Sequence, residues 1–488
     1  MGDERIIAID QGTSCVKVLV FDMAGNVLCS ASESTPVRLS GPNAMEADPR
    51  DWWRKLVQCL RRVLDDPCVP AGSVRGIGLC GLMHTLVPVD NGGRPMGPVP
   101  LWADQRWEAE ADAVVREAAN SVAEPSSRSC VGRLGWLLQT RPDVRSRTHL
   151  LLPVKDFLRY MLTGVAATDH HEAAGTGLTA TGDREWSQAM LGQLGVALNT
   201  LPPILSPMSP AGSVSPRAAE ITGLEAGTPV VVGTCDWQAA LLGSCAVLPE
   251  RASLYLGTAG VVGGFTSRDH LDRLDGVRCL GAVSSTGSAL EWLAGLLLPG
   301  SSQHGISPVE TLVRMAAGSR AGAEGLIFLP HLLGERGGAI RPSATGTLAG
   351  LRLSHGRGDM VRAVLEGTAM WLRIVTEPAM ADEPVDSLVV SGGGARNRLN
   401  SVIAASIFGR PVLIPEVVEA GALGSALLAA VGTGLVQGCA ETASAWVRIR
   451  AVEEPDPELV TVYQGLHERF TRTERVMRSL ETPGLAST

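Results

Sequence analysis

Asp10 ends an apolar run, Ile6 to Ile9, and is followed by Gly12, Thr13 and Ser14, with Lys17 entering the next apolar stretch. Glycine lets backbone N–H groups approach an anion closely, and the Thr and Ser hydroxyls add donors, so such a turn suits a phosphate. A carboxylate beside phosphate-cradling donors suits a hydrated Mg²⁺, which takes one or two carboxylates together with phosphate oxygens. A strand-end aspartate that merely caps a hairpin has the same local sequence. The pattern returns halfway along the chain, where Leu254-Tyr255-Leu256 breaks into Gly257-Thr258-Ala259-Gly260. A repeated turn of this kind implies two duplicated lobes gripping one polyphosphate such as ATP, with a cleft between them.

Three further constellations carry polar chemistry. Asp236 follows Val230-Val231-Val232-Gly233-Thr234-Cys235 with little charge around it. A lone carboxylate at a strand end can take the proton of an attacking hydroxyl in a phosphoryl transfer; it can equally cap the helix that Trp237 to Leu242 would form. Met83-His84 and Trp102-Ala103-Asp104-Gln105-Arg106 are the polar clusters suited to a polyol. Adjacent hydroxyls need paired donors and acceptors, and Asp104 and Arg106 at alternate positions of an extended segment would present both to one side. Gly392-Gly393-Gly394 after Leu388 to Ser391 would let a base or a phosphate lie against bare backbone before a helix opens near Asn397.

The elements that must position these residues are legible from periodicity. Residues 6–10, 16–21 and 27–32 are three short strands, joined in part by the turn at Asp22 to Asn26. Asp48-Pro49 supplies an N-cap and first turn for a helix with Trp53, Leu56, Leu60 and Val63 along one face. Residues 74–79 form a buried strand that delivers Leu82, Met83 and His84 at its carboxyl end, where α/β sheets hold ligands. Helical stretches follow at 131–140 and at 154–163, the latter closed by Gly164, and a loop or small excursion at 201–216. A connecting helix runs from Gln238 to Val247. Beyond it come a helix at 288–298, a Gly-rich loop at 334–350, an amphipathic helix from Asp359 to about Val375, and a final helix starting at Asp456-Pro457. These elements place the chain in the α/β class, with lobes at 1–248 and 249–488.

Composition narrows the partners. The 488 residues suffice for two to four domains at about 100–200 residues each, and two large lobes is the simplest division. A net charge of -8 and the absence of any Lys or Arg run exclude the basic footprint of a nucleic-acid or anionic-membrane binder. The expected partners are small molecules. Ten cysteines are scattered without a Cys-x-x-Cys pair, which fits a reducing cytoplasm better than a disulfide scaffold. The amino terminus lacks a basic segment followed by an apolar core. A long uncharged stretch, 420–436, is about 17 residues of mostly Ala, Gly and Leu, short for a membrane span and suited to a buried helix.

In this order the motifs resemble the FGGY carbohydrate kinases over nearly the whole chain. The resemblance rests on Asp10-Gln11-Gly12-Thr13-Ser14, Gly81-Leu82-Met83-His84, Leu101 to Arg106, Lys155-Asp156-Phe157-Leu158 and Thr168-Asp169 through Thr176. Phe328-Leu329-Pro330, Gly334-Glu335-Arg336, Gly346 to Leu351 and Ala363-Val364-Leu365-Glu366-Gly367 continue it. The resemblance implies two actin-like lobes of the ribonuclease H type, the sugar held mainly by the first and ATP by the second. It implies Asp236 as the base, and Asp10 as organiser of Mg²⁺ with Asp236 beside it. Thr13, Ser14 and Lys17 would meet the transferring phosphate, Gly257 and Thr258 the nucleotide phosphates, and Gly393, Gly394 and Asn397 the adenosine side. Met83, His84, Trp102, Asp104, Arg106, Trp237 and Gln238 would line the acceptor. A homodimer is a further implication.

Leu82, Thr85 and Trp237 depart from the xylulokinase pattern, as does Gly337-Gly338 after Gly334-Glu335-Arg336, while Met83-His84-Thr85-Leu86 is also similar to a gluconate kinase loop. The expected activity is ATP-dependent phosphorylation of a primary hydroxyl on an open-chain sugar, xylulose-like first and gluconate-like second. A clamp or sensor that binds ATP and sugar without turnover is the rival class.

Overall fold

The computed structural model describes residues 4–41, 43–122, 125–180, 184–244, 250–267, 275–299, 307–335, 341, 344–382 and 385–480. The Gly337-Gly338 departure lies outside the described residues. In the first strand, β1 (Arg5–Gln11), Ile6, Ile7, Ala8 and Ile9 have no exposed surface. An apolar run covered on both faces marks a central strand. β1 pairs antiparallel with β2 (Cys15–Phe21), which pairs antiparallel with β3 (Val27–Ser34). On its other side β1 runs parallel to β4 (Val74–Gly81). Past β4 lie β5 (Pro210–Ser213) and β6 (Pro229–Val231), giving the order β5-β6-β4-β1-β2-β3, while β7 (Thr234–Cys235) also pairs with β4. The segment expected as a loop at 201–216 thus contributes the edge strand β5.

The same pairing pattern is built again later in the chain, with the two outermost strands in the reverse chain order. β8 (Arg251–Leu256), β9 (Gly260–Phe265) and β10 (Val277–Val283) form consecutive antiparallel pairs. β8 then runs parallel to β11 (Ser387–Ser391), β11 parallel to β12 (Val412–Pro415), and β13 (Ile449–Glu453) closes the edge antiparallel. Each sheet has its own core: Ile7, Ile9, Val18, Leu56 and Phe157 in one, Leu254, Val390, Leu372, Ile403 and Phe470 in the other. The repeat of the Gly-Thr turn thus goes with a repeat of the antiparallel three-strand start and its parallel neighbours.

Helix boundaries follow local chemistry. Asp48 caps the helix Pro49–Leu64 by accepting from the Arg50 N–H at 3.0 Å, with proline in the first turn as expected. Its buried face is Trp52, Leu56, Cys59, Leu60 and Val63; Trp52 is wholly buried, and the expected Trp53 is half-buried against the same core. Counting back four residues from Leu56 reaches Trp52, which is the helical step. The helix Val154–Thr163 stops at Gly164, whose φ of 74° is a left-handed turn that glycine adopts without strain. The connecting helix is described over Asp236–Gly243, the expected end at Val247 lying outside the described residues, and the long helix runs Arg357–Asp382.

The chain divides into two compact units, Met1–Gly243 with Gly421–Trp446, and Ser244–Ala420 with Val447–Thr488. A single division at 248 has no counterpart to the return of Gly421–Trp446. Glycine explains that return. A Cβ on Gly78 would stand 2.0 Å from the Ser425 carbonyl oxygen, and one on Gly424 would stand 2.0 Å from that of Ala239. The helix Ala420–Gly432 thus lies with its backbone almost against β4 and the helix Asp236–Gly243, a fit only bare backbone permits. Its uncharged Ala/Gly composition serves close packing, as expected of a buried helix. Among the described residues no helix is long and apolar enough to cross a membrane.

Candidate functional site

Three neighbouring parallel strands carry the first unit's polar groups to one edge. β1, β4 and β7 are in register, with Asp10 and Thr234 both opposite Cys80. Their carboxyl ends deliver the Gly12–Ser14 turn, the Leu82–His84 loop and Asp236, so residues far apart in sequence meet because parallel strands end together. Lys17 on β2 sits opposite Asp10 across the antiparallel pair.

Asp236 is the first residue of its helix and keeps part of its surface exposed. Its Oδ1 accepts from the Trp237 N–H at 2.8 Å, so it serves the helix start while remaining a carboxylate at a strand end. Burial, and then the charge of Asp10, raise its pKa from the ordinary carboxylate value to about 7. The thiol of Cys80, wholly buried, is pushed up by burial and by both aspartates. Asp10 and Asp236 therefore flank one buried thiol, and a Cβ on Gly421 would approach Asp10 Oδ2 to 3.3 Å. Next to Asp236, the Trp237 indole N–H and the Gln238 Oε1 are buried without a hydrogen-bond partner among the described residues.

Beneath this edge lies a charged network with no solvent exposure. Lys155 Nζ reaches Asp156 Oδ1 at 2.7 Å and Asp169 Oδ2 at 3.0 Å, and Arg159 reaches Asp156 at 3.0 Å. Thr234, two residues before Asp236, donates its hydroxyl to Asp169 Oδ1 at 3.0 Å. Burial carries Glu172 well above the ordinary carboxylate range, with Asp169, Asp156 and Asp236 adding to the rise against the opposing charge of Lys155. The paired cation and aspartates are thereby neutralised inside the protein, and they fix the strand end that holds Asp236.

The loops expected to meet the acceptor are tied to one another. His84 has a φ of 60°, uncommon for a side-chain-bearing residue, and its Nδ1 is 2.8 Å from the Gly175 carbonyl oxygen. A Cβ on Gly175 would come within 2.7 Å of the Met83 methyl. Arg133, buried in the helix Pro125–Thr140, donates to the His84 carbonyl at 2.8 Å and to the Trp102 carbonyl at 2.9 Å. Trp102 in turn donates its indole N–H to Thr13 Oγ1 at 3.1 Å.

Asp104 and Arg106 do not lie along an extended segment. Residues 102–105 turn, and Arg106 opens the short helix Arg106–Glu110. Asp104 is fully buried and accepts from the Met45 N–H at 2.9 Å and from Arg106 Nη2 at 2.6 Å. Arg106 also reaches Glu46 at 2.6 Å and stacks 4.4 Å over Trp136. This pair braces the loop that carries Trp102.

In the second unit β8 and β11 are parallel neighbours, with Tyr255 opposite Ser391, so the Gly257-Thr258 turn and the triple-glycine turn stand side by side. Thr286 donates its hydroxyl to the Gly257 carbonyl at 2.8 Å and its N–H to that of Thr258 at 3.0 Å. A Cβ on Gly394 would meet Leu256 Cβ at 2.6 Å, whereas Gly393 is exposed and faces open space. Asn397 caps the helix Arg398–Phe408 through the Leu399 N–H at 2.9 Å.

Sequence reasoning missed Arg133 and Glu172 as site-shaping groups. The available signals were a lone arginine among Val131, Leu134 and Leu137, and a glutamate inside the small-residue run 168–177.

Residues 5–243 match the family model described as the FGGY family of carbohydrate kinases, N-terminal domain, and residues 243–433 match the C-terminal domain of the same family. The chain belongs to the FGGY carbohydrate kinases. This family is one of sugar kinases, phosphotransferases that use ATP as cosubstrate. The FGGY chain is 27% identical over 494 residues to a xylulose kinase of Bacillus subtilis (strain 168), covering 98% of each chain. It is 28% identical over 515 residues to an autoinducer-2 kinase of Salmonella typhimurium, covering 99% of this chain and 96% of that protein. Its fold matches a xylulose kinase structure from Rhodospirillum rubrum with a TM-score of 0.77 and 27% identity, covering 98% of this chain and 99% of the other. A gluconate kinase structure from Lactobacillus acidophilus shares the fold with a TM-score of 0.81 at 23% identity, over 97% and 98% of the two chains. The two lobes are thus the mixed α/β, actin-like halves of an FGGY kinase.

Proposed function

We propose that this FGGY kinase transfers the γ-phosphoryl group of ATP to a primary hydroxyl of an open-chain sugar, with a xylulose-like acceptor as the leading candidate. The observation that carries the reading is the pairing of Asp236 with Asp10 at the shared end of β1, β4 and β7. Asp236, with a pKa near neutrality, takes the proton of the attacking hydroxyl as the O–P bond forms. Thr13 and Ser14 donate to the moving phosphoryl group. Met83, His84 and Trp102 orient the acceptor, held in place by Arg133, while the partnerless Trp237 N–H and Gln238 Oε1 offer it a donor and an acceptor. Gly257, Thr258, Gly393 and Gly394 bring bare backbone to the nucleotide, and Asn397 fixes the helix start beside them.

The donor set fits Mg²⁺. Asp236, raised to about 7 by burial and then by the charge of Asp10, gains stability from a divalent cation beside the pair, and carboxylate oxygens are its preferred protein ligands. Asp10 would hold it with Asp236 adjacent; when bound it neutralises charge on the transferring phosphate. Positioning and charge stabilisation then account for most of the rate enhancement.

Met83-His84-Thr85-Leu86 supports gluconate as the second acceptor. Purified protein assayed with ATP, Mg²⁺ and a panel of D-xylulose, gluconate, autoinducer-2 and simple polyols tests the reading. Sugar-dependent ADP release is expected, highest with D-xylulose. Turnover on gluconate alone would reverse the order of acceptors, and absence of turnover on every member would favour a binding-only sensor.

A further inference from the structure

Outside the residues assigned to phosphoryl transfer, two thiols and a carboxylate converge on one spot of the first unit. Cys29 lies on β3, opposite Val20. Asp66 and Cys68 come from the turn that follows the helix Pro49–Leu64. One donor atom from each of the three lies within 4.8 Å of the others, and all three residues are half-buried. The turn is shaped locally: Asp66 accepts the Cys68 N–H at 3.0 Å through Oδ1, and its carbonyl accepts the Val69 N–H at 3.0 Å. Nothing in the phosphotransfer reading uses these side chains.

We propose that Cys29, Asp66 and Cys68 form a binding site for a thiophilic divalent cation of the Zn²⁺ type, with solvent as the fourth ligand. Two sulfurs and one carboxylate oxygen are a soft donor set that favours Zn²⁺ over the Mg²⁺ of the phosphate site. Zn–S bonds of about 2.3 Å and Zn–O bonds of about 2.0–2.2 Å place tetrahedral ligands roughly 3.3–3.8 Å apart. Donors already within 4.8 Å of one another therefore need to close by at most about 1.5 Å on binding, within reach of side-chain rotation. Both thiols release their protons to solvent as the metal–sulfur bonds form. Two thiolates, one carboxylate and a dication leave one net negative charge. Arg5 stands beside that charge, its Nε donating to the Cys68 carbonyl at 3.0 Å. The ion would staple β3 to the end of the helix that covers it, which makes it structural.

The test uses the full-length protein, stripped with a chelator under reducing conditions and titrated with Co²⁺ as a spectroscopic stand-in for Zn²⁺. Uptake of about one equivalent with a thiolate-to-cobalt charge-transfer band is expected, displaced by Zn²⁺, and lost in both Cys29→Ser and Cys68→Ser. Zn²⁺ should raise the melting temperature of the unaltered protein and leave that of Cys29→Ser unmoved. Circular dichroism shows that each variant is folded. Mg²⁺-dependent kinase turnover should be the same in Cys29→Ser as in the parent, which separates this site from the reading above. A charge-transfer band that survives in both serine variants would overturn the proposal. So would a Cys29–Cys68 disulfide forming in the metal-free protein with no cobalt band after reduction.

Discussion

The Trp102 indole N–H donates to Thr13 Oγ1 at 3.1 Å, joining the loop assigned to the acceptor with the turn assigned to the phosphate. In the proposed reaction this hydrogen bond would set the spacing between the loop that orients the sugar and the hydroxyl donors that hold the phosphoryl group during transfer. Trp102→Phe keeps an aromatic side chain and removes the donor. A net hydrogen bond of about 0.5–1.5 kcal/mol predicts a two- to tenfold fall in kcat/KM for the sugar. Steady-state kinetics with varied sugar checks this; unchanged kcat/KM would mean that the bond does not set the spacing.

Arg133 holds the His84 and Trp102 carbonyls with one buried guanidinium, at 2.8 and 2.9 Å. Arg133→Met fills similar length but leaves two carbonyls without their donor, at a cost of about 1–3 kcal/mol for each buried group left unsatisfied. KM for the sugar should rise several-fold while the Kd for ATP stays near its parent value, read by kinetics and by calorimetry. An equal loss of ATP affinity would assign Arg133 to general stability instead.

The pairing of Asp236 with Asp10 fixes the sign of two pH effects. Asp236 is raised from about 3.9 to about 7 by burial and by its neighbour's charge. A carboxyl raised on folding contributes its relative stability below about pH 4 and loses it as pH rises through about 7. Asp236→Asn should therefore raise the melting temperature of the ligand-free, metal-free protein at pH 8, with the gain shrinking towards pH 5. Activity moves the other way, because a base must be ionised: kcat/KM for the sugar should fall as pH drops through about 7.

Gly78 tests the packing that returns Gly421–Trp446 to the first unit. A side chain there meets the Ser425 carbonyl at 2.0 Å, so the two backbones must part. Gly78→Val should cost at least about 1–3 kcal/mol, the usual range for overpacking, and lower the denaturant midpoint. An unchanged midpoint would show that the helix Ala420–Gly432 is not held against β4.

Much of this architecture could be read from the chain before any coordinates. The apolar run Ile6 to Ile9 marked a strand, Asp48-Pro49 and Gly164 marked helix ends by backbone chemistry, and the Gly-Thr turns pointed to two duplicated lobes. What stayed hidden depends on partners distant in sequence. The glycines of 420–432 show their purpose only beside Gly78 and Ala239, and Arg133 only beside two carbonyls that it gathers. Asp104 and Arg106 were legible as a pair, but their mutual salt bridge and burial against Met45 come from the turn at 102–105, which alternation along a strand does not foretell.

The role of Asp236 is tested most directly by Asp236→Asn, assayed for sugar-dependent ADP release at saturating ATP, Mg²⁺ and sugar above pH 7. Loss of a general base predicts a fall in kcat of about 10²–10⁴ with ATP still bound at near-parental affinity. A variant that released ADP in response to sugar at the parental rate would contradict the assignment of Asp236 as the base.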